Sequence, residues 1–418
     1  MGYLGRTPTP SPIDASDIPA NSIDASKIID GAIAVADVAD NAITEDKIAD
    51  AAVVSLKSGR KNLIINGAMQ VAQRGTAAVI TSDSSNEGIN NADRWYCNFG
   101  SNIGGAASTE RVTSPAGLPE FPYSWKWSCT TTSTPTSTQF LNPSYAIEGY
   151  DTARLMYGSS NAKSVTISFW VYSSKVGNYG LGLRHYNGDG NRVAGHSFTI
   201  NTANTWQKIS LTFQGDTTKA TNTGNITGLA LWFGLAIGDD RIGVPAAGVW
   251  QNYSTDVFPN GTYSNFLDST SNTFHITGVQ LELGSVATDF EHRSYGEELA
   301  LCQRYFVGYD YNGTGAHGYV CIFAGYDADD AMGVLNLPVP MRTSPTLTYS
   351  GVFMRYAGAS SEVDGGTVVA YNYGDNRSVF ALNYDNSTNA FSGHQGGAMF
   401  WGVSGDSTAN YIRLDAEL

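Results

Sequence analysis

The sequence predicts a mainly β protein: an antiparallel β-sandwich, preceded by an extended N-terminal stretch and followed by a second β region. Three observations carry this expectation. From Lys61 onward the apolar residues come in short β-branched and aromatic runs, several alternating strictly with polar residues, the period of a half-buried strand. Polar segments rich in Gly, Ser, Thr and Asn separate these runs, with a single helical pattern among them, so the strands must pair antiparallel through turns. A hydrophobic content of 42% against 15% charged residues describes a chain that packs a core.

Taken in order, residues 1–12 read as an extended arm, because Pro8, Pro10 and Pro12 hold the backbone near polyproline geometry. The stretch has no apolar core, so a secretory leader is not expected. From residue 13 large aliphatics fall every five positions, at Ile13, Ile18, Ile23, Ile28, Ile33, Val38, Ile43, Ile48 and Val53. Neither a helix nor a strand gathers a period of five on one face. One apolar residue in five must therefore be covered from outside its own segment. Side-by-side identical chains would bring the aliphatics to a shared axis, making residues 13–57 an oligomeric stalk. A self-coiled β-helix would do the same with one pentad per face, but this stretch supplies only about two coils. The stalk is the expectation. The β-helix and a disordered acidic linker stay open.

Residues 61–295 are the expected sandwich. Leu63–Ile65 reads as a short buried strand and Asn66–Gly67 as a tight turn. Clear strand patterns follow at Ser164–Ser173, Trp206–Phe213, Leu229–Ile237 and Phe274–Leu283. The nearly all-apolar Leu229–Ile237 is expected to be fully buried. Trp170, Trp206 and Trp232 are assigned to the core, Trp250 and Tyr253 to exposed loops. Gly296–Phe306 reads as a helix within a linker at 296–308, with Glu297 and Glu298 at its positive end and Arg304 at its negative end. Leu299, Cys302 and Phe306 would share one face. Residues 309–418 form a second β region, with strands at 318–324, 334–339, 367–371, 378–383, 398–403 and 410–414. The last of these ties the C-terminus into a sheet.

Composition also excludes function classes. A formal charge of −14 is wrong for wrapping nucleic acid or lying on an anionic membrane. The longest apolar run, Gly228–Gly238, falls short of the ~18 residues of a membrane span. Cys97, Cys129, Cys302 and Cys321 lack metal-ligand spacing and read as reduced thiols, with a Cys97–Cys129 bridge left open. Of the acids Asp327, Asp329, Asp330, Asp364, Asp375 and Asp385, the last three stand beside Gly or Asn, where Asp favours turns. The six histidines are scattered, and no HExxH, GxSxG or P-loop pattern occurs. The chain is thus expected not to be an enzyme and to need no cofactor. A structural calcium stays open at Asn187–Asn191 or Asp327–Asp330, although neither completes an EF-hand loop.

Two sets of motifs resemble a known family. Lys61-Asn62-Leu63-Ile64-Ile65-Asn66-Gly67, with Gln70, Gln73-Arg74-Gly75 and Ala92-Asp93-Arg94-Trp95, resembles the opening of a module of bacteriophage tail-fibre proteins. Ile276–Gly284, Ala287–Arg293 and Leu301–Phe306 are similar to its close. Met341–Thr346 also resembles a segment following the helix in such proteins. The resemblance covers roughly Lys61 to Phe306 and implies a jelly-roll sandwich like carbohydrate-binding modules, carried on virion fibres that are usually trimeric. The pentads look like a fibre shaft, with the nine aliphatics on the trimer axis. On this reading the arm at 1–12 contacts other virion tail proteins, and residues 309–418 are a distal tip.

Sugars offer apolar ring faces with polar edges, so a sugar site needs a Tyr or Trp platform beside Asn, Asp or Gln. Tyr311, Asn312, Tyr371, Tyr373, Tyr384 and Trp401 in the tip, with Trp250 and Tyr253 in the sandwich, are the candidates. The expected partner is host cell-surface polysaccharide, bound by a homotrimer without membrane insertion. Two other roles remain: a polysaccharide depolymerase, and a head fibre or decoration protein without receptor.

Overall fold

The computed structural model describes residues 60–77, 79–82, 88–89, 91–100, 102–311, 319–325, 330–350, 352–356, 367–371, 379–385, 396–401 and 410–418. The arm, the pentads of 13–57 and the acids Asp327, Asp329, Asp364 and Asp375 lie outside them.

The protein is mainly β, and its antiparallel sandwich is of jelly-roll type. The strands, in chain order, are β1 (Val79–Ser82), β2 (Gly88–Ile89), β3 (Trp95–Phe99), β4 (Ala106–Thr113), β5 (Tyr123–Thr131), β6 (Phe140–Glu148), β7 (Val165–Ser173), β8 (Gly177–His185), β9 (Arg192–Ile200), β10 (Gln207–Phe213), β11 (Thr227–Gly234), β12 (Ala236–Ile237), β13 (Ile242–Val244), β14 (Gln251–Asn252), β15 (Phe258–Pro259) and β16 (Thr273–Leu283). One sheet runs β1-β4-β5-β16-β7-β10. The facing sheet runs β14-β9-β8-β11-β6-β3-β2, with β12 added beside β6.

Alternation puts Val165, Ile167, Phe169 and Val171 of β7 and Leu229, Leu231 and Phe233 of β11 into one core. Aromatic rings fill its centre. Trp125 and Trp127 stand 4.9 Å apart edge-on, and Trp95 lies 5.1 Å from Tyr145. Each fully buried large side chain there contributes roughly 1.5–3 kcal/mol.

The two recognised motif sets meet as one seam. Leu63, Ile64 and Ile65 are buried as expected, but they form no ladder strand. A buried backbone outside a ladder needs side-chain partners, and the motif residues supply them. Asn62 Oδ1 accepts from Ile64 N at 2.9 Å and from Leu281 N at 3.0 Å. Asn62 Nδ2 donates to Val279 O at 3.1 Å. Ile65 N donates to the Tyr145 hydroxyl at 2.8 Å. Asn66 takes a turn with φ 59° and donates to Val71 O and Asp93 O, while Trp95 Nε1 donates to Asn66 O at 3.1 Å. Arg293 closes the seam on Asn62 O, Ile64 O, Glu291 and Glu298.

The helix spans Tyr295–Gln303, starting one residue before and ending three residues before the expected Gly296–Phe306. Ser294 and Glu297 form a capping box, which fixes its start. Phe306 stands outside the helix and opens a strand, so it cannot share the face of Leu299 and Cys302. In the second β region, β17 (Phe306–Tyr311), β25 (Asn410–Asp415) and β20 (Thr346–Ser350) form a three-stranded sheet. β21 (Val352–Tyr356), β24 (Gly396–Trp401), β18 (Tyr319–Gly325), β19 (Asp330–Asn336), β23 (Val379–Asp385) and β22 (Thr367–Tyr371) form a six-stranded one. β25 pairs with both β17 and β20, so the tail is tied into a sheet as the sequence suggests.

Beyond β25 the chain returns to the sandwich. Arg94, 1% exposed, pairs with Glu417, and its guanidinium lies 3.6 Å over Tyr305. Arg74 reaches Asp415 at 2.9 Å and Glu417 at 3.4 Å. Arg342 donates to Ala416 O and Glu417 O. Burial pushes the Glu417 carboxyl up, against the Arg94 and Arg74 guanidiniums that favour its charged form.

Candidate functional site

The aromatic residues sort differently from expectation. Trp170, Trp206 and Trp232 are half-buried on outer sheet faces rather than in the core. The nearly all-apolar Leu229–Ile237 is buried on both faces as expected, except at Trp232. Trp250, expected in an exposed loop, is 7% exposed; its ring packs edge-on against Tyr157, and Nε1 donates to Gln214 O at 2.6 Å. Beside it His185 Nε2 and Arg192 Nε both meet Asp216 Oδ2, at 2.7 and 2.6 Å. Burial alone would raise the Asp216 carboxyl; the hydrogen bonds from His185, Thr218 N and Arg192 outweigh it and hold the group at about 2.

The outer face of the β14–β2 sheet brings together side chains that no sequence spacing would join. Register places Tyr96, Ser144, Trp232, Gly182 and Gly195 in one row across five strands. Tyr96 and Trp232 are half-buried and Ser144 lies between them, so the two rings stand roughly two strand spacings, ~10 Å, apart. The next row holds Ala146, Ala230, Arg184 and Val193. Small residues thus floor the face, with rings rising on both sides.

One flank is covered by the chain's own loop. Val257 and Phe258 lie flat on the glycines of β8, β9 and β11. A Cβ at Gly180 would stand 2.4 Å from the Phe258 ring, and one at Gly182 2.5 Å from Val257. Val193, Ile237, Val257 and Phe258 form a separate small core there, against which Trp232, Ile242, Tyr253 and Tyr263 pack. The loop thereby sets Tyr253 6.5 Å from Trp232, edge-on, and 3.8 Å from the Arg184 guanidinium. Tyr186 and Trp232 stand 4.6 and 5.6 Å from the same guanidinium. Arg241 Nη1 contacts the Tyr253 hydroxyl at 3.4 Å. Burial raises the Tyr186 phenol, with Arg184 opposing it.

The opposite outer face also carries rings. Tyr172 lies 5.4 Å from both Trp206 and His275. There, however, the loop bearing Leu118 and Phe121 packs on Trp170 and Trp206, and the Trp206 indole already donates to Pro115 O. His275 bonds Ser124 Oγ at 3.2 Å, and burial followed by nearby Lys126 lowers it to about 4. A cleft of about 680 Å³ lies between the helix and the Val339–Pro340 turn, lined by Arg60, Arg293, Arg304, Glu297 and Leu301 among others. Arg60, Arg293 and Arg304 are each already paired with a carboxylate.

The remaining predicted residues belong to the second β region. Tyr371 and Tyr384 lie on neighbouring β22 and β23, Trp401 on β24 across the same sheet, and Tyr311 on β17 of the other sheet. Asn312 and Tyr373 lie outside the described residues. Sequence reasoning singled out Tyr253 but passed over Tyr96, Arg184 and Tyr186 and put Trp232 in the core. The alternation of Arg184 and Tyr186 beyond the apolar Leu181 and Leu183 was the available signal.

Among the described residues no three His, Cys, Asp or Glu side chains cluster as metal ligands. The Asn187–Asn191 loop uses its oxygens on its own turn and on Lys219. All four cysteines are free thiols, so the Cys97–Cys129 bridge is not formed. No helix among the described residues is long and apolar enough to cross a membrane.

No protein-family model matches the chain, and no curated protein does. Among solved structures it is similar to a candidate sugar-binding protein from Bacteroides thetaiotaomicron, with a TM-score of 0.31 and 11% identity over 53% of this chain and 100% of that one. It is also similar to the family 11 carbohydrate-binding module of a Clostridium thermocellum cellulosomal cellulase, with a TM-score of 0.26 and 14% identity over 53% and 99% of the two chains. A third is the CBM22-2 xylan-binding domain of Paenibacillus barcinonensis, with a TM-score of 0.27 and 16% identity over 46% and 93%.

Proposed function

We propose that this protein binds glycan without cleaving it, through the outer face of the β14–β2 sheet, and that it serves as a virion fibre or adhesin subunit attaching to host surface polysaccharide. The observation that carries the binding reading is the row of half-buried rings, Tyr96 and Trp232 with Tyr253 beside them, over a floor of Ser144, Ala146 and Ala230. Half-buried rings beside small residues offer stacking surface to a pyranose face, and the half-buried Asn98 on β3 offers a polar edge to its hydroxyls. A binding role also suits the carboxylates: Glu148, Asp216, Glu298 and Glu417 are each engaged in ion pairs rather than paired for acid–base work.

The virion placement and the trimer rest on the motif resemblance and on the pentads, and attachment by several copies would gain from avidity. Glycan-array binding and calorimetry of the full chain test the face. Trp232→Ala is expected to weaken binding by at least roughly tenfold while leaving thermal unfolding in place. Absence of any glycan binding, or full binding by the variant, would overturn the reading. Light scattering tests the stalk: a trimer that becomes a monomer when residues 13–57 are removed supports it, and a monomeric full chain sinks it.

A further inference from the structure

We propose that the bound glycan carries a negative charge on a sugar ring, a carboxylate or a sulfate ester, and that Arg184 selects it. This rests on the outer face being the glycan-binding surface.

Arg184 is the odd cation of the sandwich. Every other arginine from Arg60 to Arg304 donates to a carboxylate or a backbone carbonyl. Arg184 has no hydrogen-bond acceptor and no carboxylate partner among the described residues, and its Nε is buried without a partner. Three rings hold it instead: Tyr253, Tyr186 and Trp232, at 3.8, 4.6 and 5.6 Å from Cζ. Ring faces attract the charge but accept none of its N–H directions in the guanidinium plane. A half-buried guanidinium fixed by stacking and left with open donors is arranged to receive an anion, because its planar fork matches two oxygens of a carboxylate or sulfate in parallel bonds.

The surroundings leave room for that anion. Arg184 stands opposite Ala230, and Ala230 opposite Ala146, so within its own row the next two strands carry only methyl groups, with Trp232 flanking it from the row beside. The acids of the covering loop do not fill the role. Asp256 is engaged with Ser254, and Asp239 and Asp240 are exposed on the short helical turn before β13. The net charge of −14 repels a polyanion at long range, but at physiological salt that field is screened beyond ~8 Å, so selection falls to the contact itself.

The experiment is calorimetry of the full chain with three probes: hexagalacturonate for a carboxylate, a κ-carrageenan hexasaccharide for a sulfate ester, and galactohexaose as the neutral control. One anionic probe is expected to bind at least roughly tenfold tighter than the neutral one, the order of a charge-assisted hydrogen-bond pair. Which of the two does so identifies the group. Arg184→Gln should cost the preferred anionic probe at least roughly tenfold more than it costs the neutral one, while Arg184→Lys should keep part of the preference. Equal or tighter neutral binding by the wild type overturns the inference and leaves the glycan-binding reading standing. So does equal loss of all probes in Arg184→Gln, which would make Arg184 a prop for the rings. If no probe binds and a glycan array is also silent, the reading of the face falls and the inference with it.

Discussion

Glu417→Ala tests how the C-terminal tail is held on the sandwich. The carboxylate is 8% exposed and the Arg94 side chain that it meets is 1% exposed. Arg94 also donates to Ala146 O at 2.6 Å and lies 3.6 Å from the centre of the Tyr305 ring. Without Glu417 that guanidinium stays out of water with one carbonyl and the Tyr305 and Tyr145 ring faces as company. Breaking a buried pair from one side costs about 3–5 kcal/mol, because the surviving charge is left uncompensated. Asp415, 2.9 Å from Arg74, retains a carboxylate near the site, so the lower end, about 3 kcal/mol, is expected. The backbone carbonyl of residue 417 would still accept from Arg342, so the loss reports on the side chain. Urea unfolding at pH 7, followed by tryptophan fluorescence, measures it, with limited proteolysis watching for release of β25. Arg94→Leu combined with Glu417→Leu should cost less than the sum of the single changes by about 1–3 kcal/mol. A loss under about 1 kcal/mol for Glu417→Ala, or additivity in the double variant, would refute the coupling.

Acid should weaken the fold through His275. Its folded value of about 4 lies below the ordinary 6.5, so the unfolded chain takes the proton first and stability falls as pH drops from 6.5 towards 4. About 2.5 kcal/mol is at stake by pH 4.5, and the difference between wild type and His275→Gln across pH 7.5 to 4.5 measures it. Asp216 acts lower: its carboxyl sits at about 2 against an ordinary 3.8, so stability present above pH 4 is lost as pH falls through 2. About 2 kcal/mol is involved, and Asp216→Asn should flatten acid unfolding in that window. Gly67→Ala would drive its Cβ to 2.1 Å from the Val279 carbonyl oxygen, a backbone atom with nowhere to go. A loss of about 1–3 kcal/mol in urea unfolding is expected, and a neutral result would mean the seam is looser than its contacts imply.

Much of the fold was legible, in particular places. Alternation marked β7 and β10, and a β-rich apolar run marked β16, close to their true bounds, and Thr367–Tyr371 matches β22 end to end. The quoted motifs marked real structure too, since their residues hydrogen-bond one another. Asn62, Asn66, Glu298 and Arg293 close the seam between the first described residues and the last sandwich strand. The candidate site was far less legible. The Trp and Tyr texture identified the chemistry sought, yet Trp232 and Trp250 were assigned to each other's surroundings.

By itself the sequence determined which residues alternate, where the glycines and prolines interrupt, how the helix at Tyr295–Gln303 starts, and which chemistry classes lack the residues they need. These are local properties, set by backbone period and by neighbours a few positions apart. Only the tertiary structure decided which face of each strand meets the core and which meets a loop. Alternation divides a strand into two faces without saying what covers either. That choice came from distant chain: Val257 and Phe258 lying across Gly180 and Gly182, and Glu417 returning to Arg94 over 323 residues. The row of Tyr96, Ser144 and Trp232 exists for the same reason, since strand register joins residues that no periodicity of the chain relates.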